Sequence, residues 1–146
     1  MNIRIIGIDL AVTAKHKAVI LDPACNQFIG KQISFRSLPE EIDRLLQRAR
    51  DGAGAEPHLV AVKEATGMTW YPIGSYLHQQ GVVVYRVNSQ KTKDLRRVLW
   101  KHAGSDHIDS RVLTHLYQLA PDRLERWTPT SGDQQTLQRA CRADAS

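Results

Sequence analysis

No stretch of this chain approaches the roughly 20 consecutive apolar residues needed to cross a membrane. Its first residues, M-N-I-R-I-I-G-I-D, are too short and too early-charged for a signal peptide and read as a first strand. Cysteine is scarce: Cys25 and Cys141 show neither metal nor redox spacing, which fits reduced thiols in a cytoplasmic protein. The six histidines include no pair three or four residues apart, so the helical zinc arrangement is missing. Internal repeats and low-complexity tracts are absent as well. What remains is the composition of one soluble globular domain: 146 residues, 42% hydrophobic and 24% charged, long enough to bury a core.

Charge is unevenly placed. The formal net charge is +5, and the segment from Arg86 to Lys101 accounts for it, with Arg86, Lys91, Lys93, Arg96, Arg97 and Lys101 against the single acid Asp94. A concentrated basic segment in an otherwise neutral domain is the footprint expected for a polyanion. A solvated helix face is the plainer reading. The position of the segment, directly ahead of two aspartates, favours nucleic acid.

Hydrophobic patterning gives the elements. Arg4 to Asp9 is an apolar run ending in an acid, as a buried central strand would be. Residues 16–22 form a second strand and residues 27–35 a third, with Pro23 and Asn26 marking the turn between them. Ser37 and Glu40 have the spacing of a capping box, and Pro39 suits a first helical turn. Leu38, Ile42, Leu45, Leu46 and Ala49 then recur at helical spacing to about Arg50, and Gly52 and Gly54 end the helix. His58 to Lys63 is a fourth strand, Trp70 to Gln80 a helix stopped by Gly81, and Val82 to Val87 a fifth strand, parallel to the fourth. A basic helix is expected from Gln90 to Trp100. Another follows from Ser105 to about Ala120, with Ile108, Val112, Leu116 and Leu119 as its core stripe. Trp70, Tyr71 and Tyr76 are expected in core or interface packing rather than stacked on bases.

Four acids fall where these elements meet loops: Asp9 in G-I-D-L-A, Glu64 in K-E-A-T-G, and Asp106 and Asp109 in S-D-H-I-D-S. Asp9 and Glu64 end strands, where ligands of α/β sheets gather. Asp106 and Asp109 stand three apart at a helix start and project from one side. Such hard oxygen ligands suit Mg²⁺ or Mn²⁺ far better than Zn²⁺. Two metals about 3.5–4 Å apart can activate an attacking oxygen and stabilise a leaving one in phosphoryl transfer. Gly7 and Gly67, each within three residues of an acid, permit close approach of a phosphate backbone. Each acid also has a plainer role. Asp106 could cap a helix or favour its dipole, Asp109 could be an exposed first-turn acid and Glu64 could be an ordinary loop residue. An acid ending an apolar strand, as Asp9 does, is costly unless paired or metal-bound.

The order of these blocks resembles the DEDD transposases of insertion-sequence family 110, relatives of the Piv DNA invertases. The resemblance runs from about Ile5 to Gln138. It rests on G-I-D-L-A with the A-V-I-L-D strand, V-K-E-A-T-G with Trp70, Leu77 and Gly81 downstream, V-N-S-Q-K-T-K-D-L-R, and S-D-H-I-D-S-R-V-L. It implies an α/β, RNase H-like fold of the RuvC type: a mixed five-stranded sheet flanked by helices. It also implies Asp9, Glu64, Asp106 and Asp109 as both catalytic and metal-binding residues for Mg²⁺ or Mn²⁺. The implied function is DNA recombination during transposition, in some members guided by an element-encoded structured RNA, by a homo-oligomer of dimer size or larger. Lys91, Lys93, Arg96, Arg97 and Lys101 are the expected nucleic-acid contacts. Residues 1–125 are expected to form the catalytic domain, and 126–146 the start of a helical connector to a C-terminal domain absent here. The chain departs from the family at Gly104-Ser105, where Lys-Thr is usual before the Asp-x-x-Asp pair. It also departs at Ser110, where Ala is usual, and at Ser89, where Pro is usual. No ligand is lost, and Lys101 is the candidate substitute for the missing lysine.

Two other classes compete. A phosphotransferase of the actin and sugar-kinase superfamily needs two RNase H-like halves and a Gly-rich nucleotide pocket, for which the chain is too short. A non-catalytic nucleic-acid-binding module would use the Arg86–Lys101 segment and leave the acids structural; metal dependence separates it from the recombinase.

Overall fold

The computed structural model describes residues 2–11, 15–54, 56–64, 70–87 and 110–129. In chain order the elements are β1 (Ile3–Asp9), β2 (His16–Asp22), β3 (Gln27–Phe28), β4 (Ile33–Phe35), α1 (Pro39–Arg50), β5 (His58–Lys63), α2 (Trp70–Gln79), β6 (Val83–Val87), α3 (Ser110–Leu119), a 3₁₀ turn (Pro121–Arg123) and β7 (Leu124–Trp127). The expected basic helix at 90–100 lies outside the described residues.

The strands form one mixed sheet in the order β3-β2-β1-β5-β6-β7, with β4 also pairing β2. β1, β5 and β6 are parallel; β2 runs antiparallel to β1, and β7 antiparallel to β6. β1 is central because it is apolar on both faces: Ile5, Ile6 and Ile8 are fully buried. Ile6 and Ile8 join Ala18, Ile20, Leu59, Ala61 and Val84 in a core covered by Ile42, Leu45, Leu46 and Ala49 of α1 and Trp70, Ile73 and Leu77 of α2. Ile5, Leu21, Val60, Val62 and Val87 face the other way, against Val112, Leu113 and Leu116 of α3. The result is a helix–sheet–helix sandwich.

Among the described residues the sheet has seven strands rather than the expected five, for two reasons. The expected third strand, 27–35, is broken: β3 pairs the end of β2 and β4 its start, with Gly30 at φ 68 between them. The second is β7, whose L-E-R-W sequence carries little strand signal. It adds to the edge of β6, and its last residues, Arg126 and Trp127, fall where the connector was expected to begin.

Local chemistry differs in two other places. Leu38, not Ser37, is the N-cap of α1 and no side chain caps it, because the Ser37 hydroxyl bonds His16 instead. The far end of α1 is held by Arg4, 4% exposed, whose guanidinium donates to the carbonyls of Ala49 (3.4 Å) and Asp51 (3.1 Å) and lies 3.7 Å from Asp22. Those carbonyls belong to the helix end that has no intrahelical donors. In α3, Leu119 is 70% exposed, whereas Leu113, outside the expected stripe, is fully buried.

β7 also explains a helical glycine. Trp127 meets the rings of Trp70 (6.0 Å) and Tyr71 (5.9 Å) edge-on, and this packing passes over Gly74 of α2. A Cβ at Gly74 would stand 2.6 Å from Trp70 Nε1 and 2.7 Å from the Trp127 ring. Gly to Ala inside a helix ordinarily stabilises by about 1 kcal/mol. Overpacking against rigid rings costs about 1–3 kcal/mol. Gly74→Ala is therefore expected to lower stability in urea denaturation; a gain would show that the indoles yield easily.

Candidate metal centre

The parallel register of β1 and β5 pairs Ile8 with Lys63, and one step further sets Asp9 beside Glu64 at the carboxyl ends of both strands. Neighbouring strands lie about 4.7–4.9 Å apart. Side chains alternate between faces, so Asp9 follows Ile5 and Gly7, and Glu64 follows Val60 and Val62, onto the α3 side of the sheet. Both acids are half-buried. Neither belongs to an apolar cluster.

The third wall is the start of α3. A Cβ on Gly7 would lie 2.0 Å from the Ser110 carbonyl oxygen and 2.9 Å from Thr114 Cγ2. The helix thus begins directly on β1, two residues short of Asp9 and on the same face. Ser110 is 1% exposed, and its hydroxyl receives a hydrogen bond from Gln32 Nε2 at 3.3 Å. Gln32 precedes β4, so the sheet edge and α3 are tied together here. Asp106 and Asp109 lie outside the described residues, as do Lys91, Lys93, Arg96, Arg97 and Lys101. Among the described residues no third candidate ligand joins Asp9 and Glu64.

Three residues of this edge escape sequence reasoning. Lys17 pairs with Asp9 across β1 and β2, so the two share a face, and Lys17 is exposed. His16 is buried, with its pKa held below the ordinary value by that burial. Lys63 is 4% exposed on the opposite face from Glu64, its amine 4.8 Å from the centroid of the Trp70 ring. The available signal for Lys63 was its place in H-L-V-A-V-K, a charge at an inward position of an apolar strand.

Burial first, and the neighbouring Arg86 second, push the Lys63 amine down to about 8. In the unfolded chain it keeps its proton to about 10.5. Between these values the unfolded state binds more protons, so this residue's contribution to stability rises with pH, and the full penalty stands below about 8. Attraction to the Trp70 ring offsets part of that penalty. Lys63→Met is expected to stabilise the fold by about 1–2 kcal/mol at pH 7, a gain that shrinks toward pH 10.5. Denaturation at pH 7 and pH 10 checks both sign and trend.

No helix among the described residues is long and apolar enough to cross a membrane. A family model described as a transposase, of the DEDD type of insertion-sequence family 110, matches residues 6–146. No curated protein matches the chain.

Proposed function

The chain belongs to the DEDD transposases of insertion-sequence family 110, and on that premise we propose that it is a metal-dependent catalytic domain acting on DNA phosphodiesters during transposition. The observation that carries this reading is the convergence at the carboxyl edge of the sheet: Asp9 and Glu64 on adjacent parallel strands, with the start of α3 seated on Gly7. In the sequence Asp109 directly precedes Ser110. Asp106 precedes Asp109 by three residues.

The donor set fits the group. Carboxylates crowded on one face repel one another and offer only hard oxygens, which suits Mg²⁺ or Mn²⁺. Asp9, Glu64, Asp106 and Asp109 would hold it. A bound dication supplies Lewis-acid stabilisation of charge on phosphoryl oxygens. The chain's own part is to fix Asp9 and Glu64 on strand ends, and to offer cations to the flanking phosphates. Lys17, exposed and in register with Asp9, is one such cation. Lys91, Lys93, Arg96, Arg97 and Lys101 are the others.

The same proposal includes an RNase H-like fold of the RuvC type. A mixed sheet with a parallel central pair and helices on both faces supports it. It further includes a catalytic unit over 1–125, a connector from 126, self-association, guidance by an element-encoded RNA and a cytoplasmic location.

The test is a Mn²⁺ titration of the chain followed by electron paramagnetic resonance. Glu64→Gln and Asp109→Asn should each weaken binding by at least about tenfold. Equal affinity in wild type and both variants would leave a nucleic-acid-binding module without catalysis.

A further inference from the structure

Among the described residues His16 is the one buried histidine, 5% exposed at the first position of β2. Its ring packs against Phe35, 5.4 Å between centroids. An apolar side chain would fill that space as well, yet both ring nitrogens are engaged. The backbone amide of Ala11 donates to Nδ1 at 3.0 Å. An amide can only donate, so Nδ1 carries no proton, and Nε2–H is left to donate to Ser37 Oγ at 2.8 Å. The tautomer is fixed by the fold, and burial reinforces the neutral state.

The location gives this bond its importance. The ladder between β1 and β2 ends with Asp9 opposite Lys17. Beyond that pair the chain leaves the sheet through Leu10 and Ala11, and the bond from His16 takes over where strand pairing stops. Ser37, next to the start of α1, anchors the ring from its other side. A chain of contacts therefore runs from Ser37 through His16 to Ala11, two residues past Asp9.

We propose that His16 is a positioning residue for the metal centre, clamping the backbone that leaves β1 so that Asp9 presents its carboxylate in one direction. His16 touches no reacting group; it acts through Ala11. The proposal rests on the metal-binding reading of Asp9. Residues outside the direct ligand set that orient ligands in this way typically contribute about 10–100-fold to metal affinity.

The experiment is a Mn²⁺ titration of the full chain by electron paramagnetic resonance, with a thermal unfolding scan of each variant. His16→Leu keeps the bulk and removes the acceptor; a loss of Mn²⁺ affinity of about tenfold or more is expected. His16→Asn carries Oδ1 on the same Cγ, where it can accept from Ala11, and should recover affinity to within about threefold of wild type. A purely structural histidine would give the opposite pattern: lower melting temperatures with unchanged Mn²⁺ affinity. That result overturns the proposal. Should His16→Leu fail to fold, Ser37→Ala decides, since it frees the ring without removing it. Weaker Mn²⁺ binding at an unchanged melting temperature supports the clamp, and unchanged binding refutes it. Asp9→Asn in the same series keeps the two ideas apart: if it leaves Mn²⁺ binding intact, the metal reading itself is wrong, whatever the His16 variants do.

Discussion

Gly7→Ala will lower stability by about 3 kcal/mol or more, at or beyond the upper end of ordinary overpacking. The added methyl would sit 2.0 Å from the carbonyl oxygen of Ser110, a backbone atom that no rotamer change can move. Either α3 lifts off β1 or β1 buckles, and both disturb the apolar contacts of Ile5, Val60 and Val62 with Val112, Leu113 and Leu116. For a domain whose whole stability is about 5–15 kcal/mol, this is a large fraction. Urea denaturation measures it. A second variant sharpens the diagnosis: Thr114→Ser removes the Cγ2 atom 2.9 Å from the new methyl but leaves the carbonyl in place. The double variant should therefore recover little. Full recovery would mean that the side chain, and not the helix start, sets the contact. Mn²⁺ affinity should fall in parallel, because the same lift separates the start of α3 from Asp9 and Glu64.

Asp9→Asn is expected to reduce metal-supported DNA strand cleavage by this transposase by at least about 10³-fold. Loss of a single hydrogen-bond donor to a developing charge already costs about 10²–10³-fold, and the metal-ligand role proposed for Asp9 would do more than such a donor. Asn is isosteric, and Asp9 is half-buried outside both apolar clusters, so the fold should persist, as circular dichroism would show. DNA binding should persist too, because the cations of the surface are untouched. Cleavage near the wild-type rate, with Mg²⁺ present, would remove Asp9 from the site. On the proposed reading the two substitutions should differ: Gly7→Ala should damage the site through the fold, and Asp9→Asn the chemistry alone.

Much of the sheet was legible because its signals are local. A continuous apolar run marks β1, and H-L-V-A-V-K delimits β5 to the residue. Gly81, at φ 83, stops the chain just past α2 as its position suggests. What escaped depends on contacts remote in sequence. β7 is charged at two of its four positions and becomes a strand because β6 offers an edge and Trp127 finds Trp70 and Tyr71. Ser37 carries the sequence mark of a cap, but a buried imidazole competes for its hydroxyl. Leu113 and Leu119 exchanged their expected places because the face of α3 is set by where Gly7 lets it land, which periodicity alone cannot fix to one residue. The candidate site divides the same way. Asp9 and Glu64 announce themselves as acids ending apolar strands, whereas the place of Lys17 opposite Asp9 follows only from cross-strand register, and the engagement of His16 only from its bonds with Ala11 and Ser37.

The central strand has one partner that is near in the chain and one that is far. β1 meets β2 after a short return, whereas pairing with β5 sets Ile3 against His58 across all of β2, β3, β4 and α1. Closing so long a loop costs entropy before any contact repays it, so the β1–β2 hairpin should form early and the β1–β5 ladder late. Asp9 and Glu64 come side by side only through that late ladder, so the pairing of these two acids waits on it. On the metal-binding reading proposed for these acids, Mn²⁺ uptake in stopped-flow refolding should follow formation of the β1–β5 ladder rather than precede it.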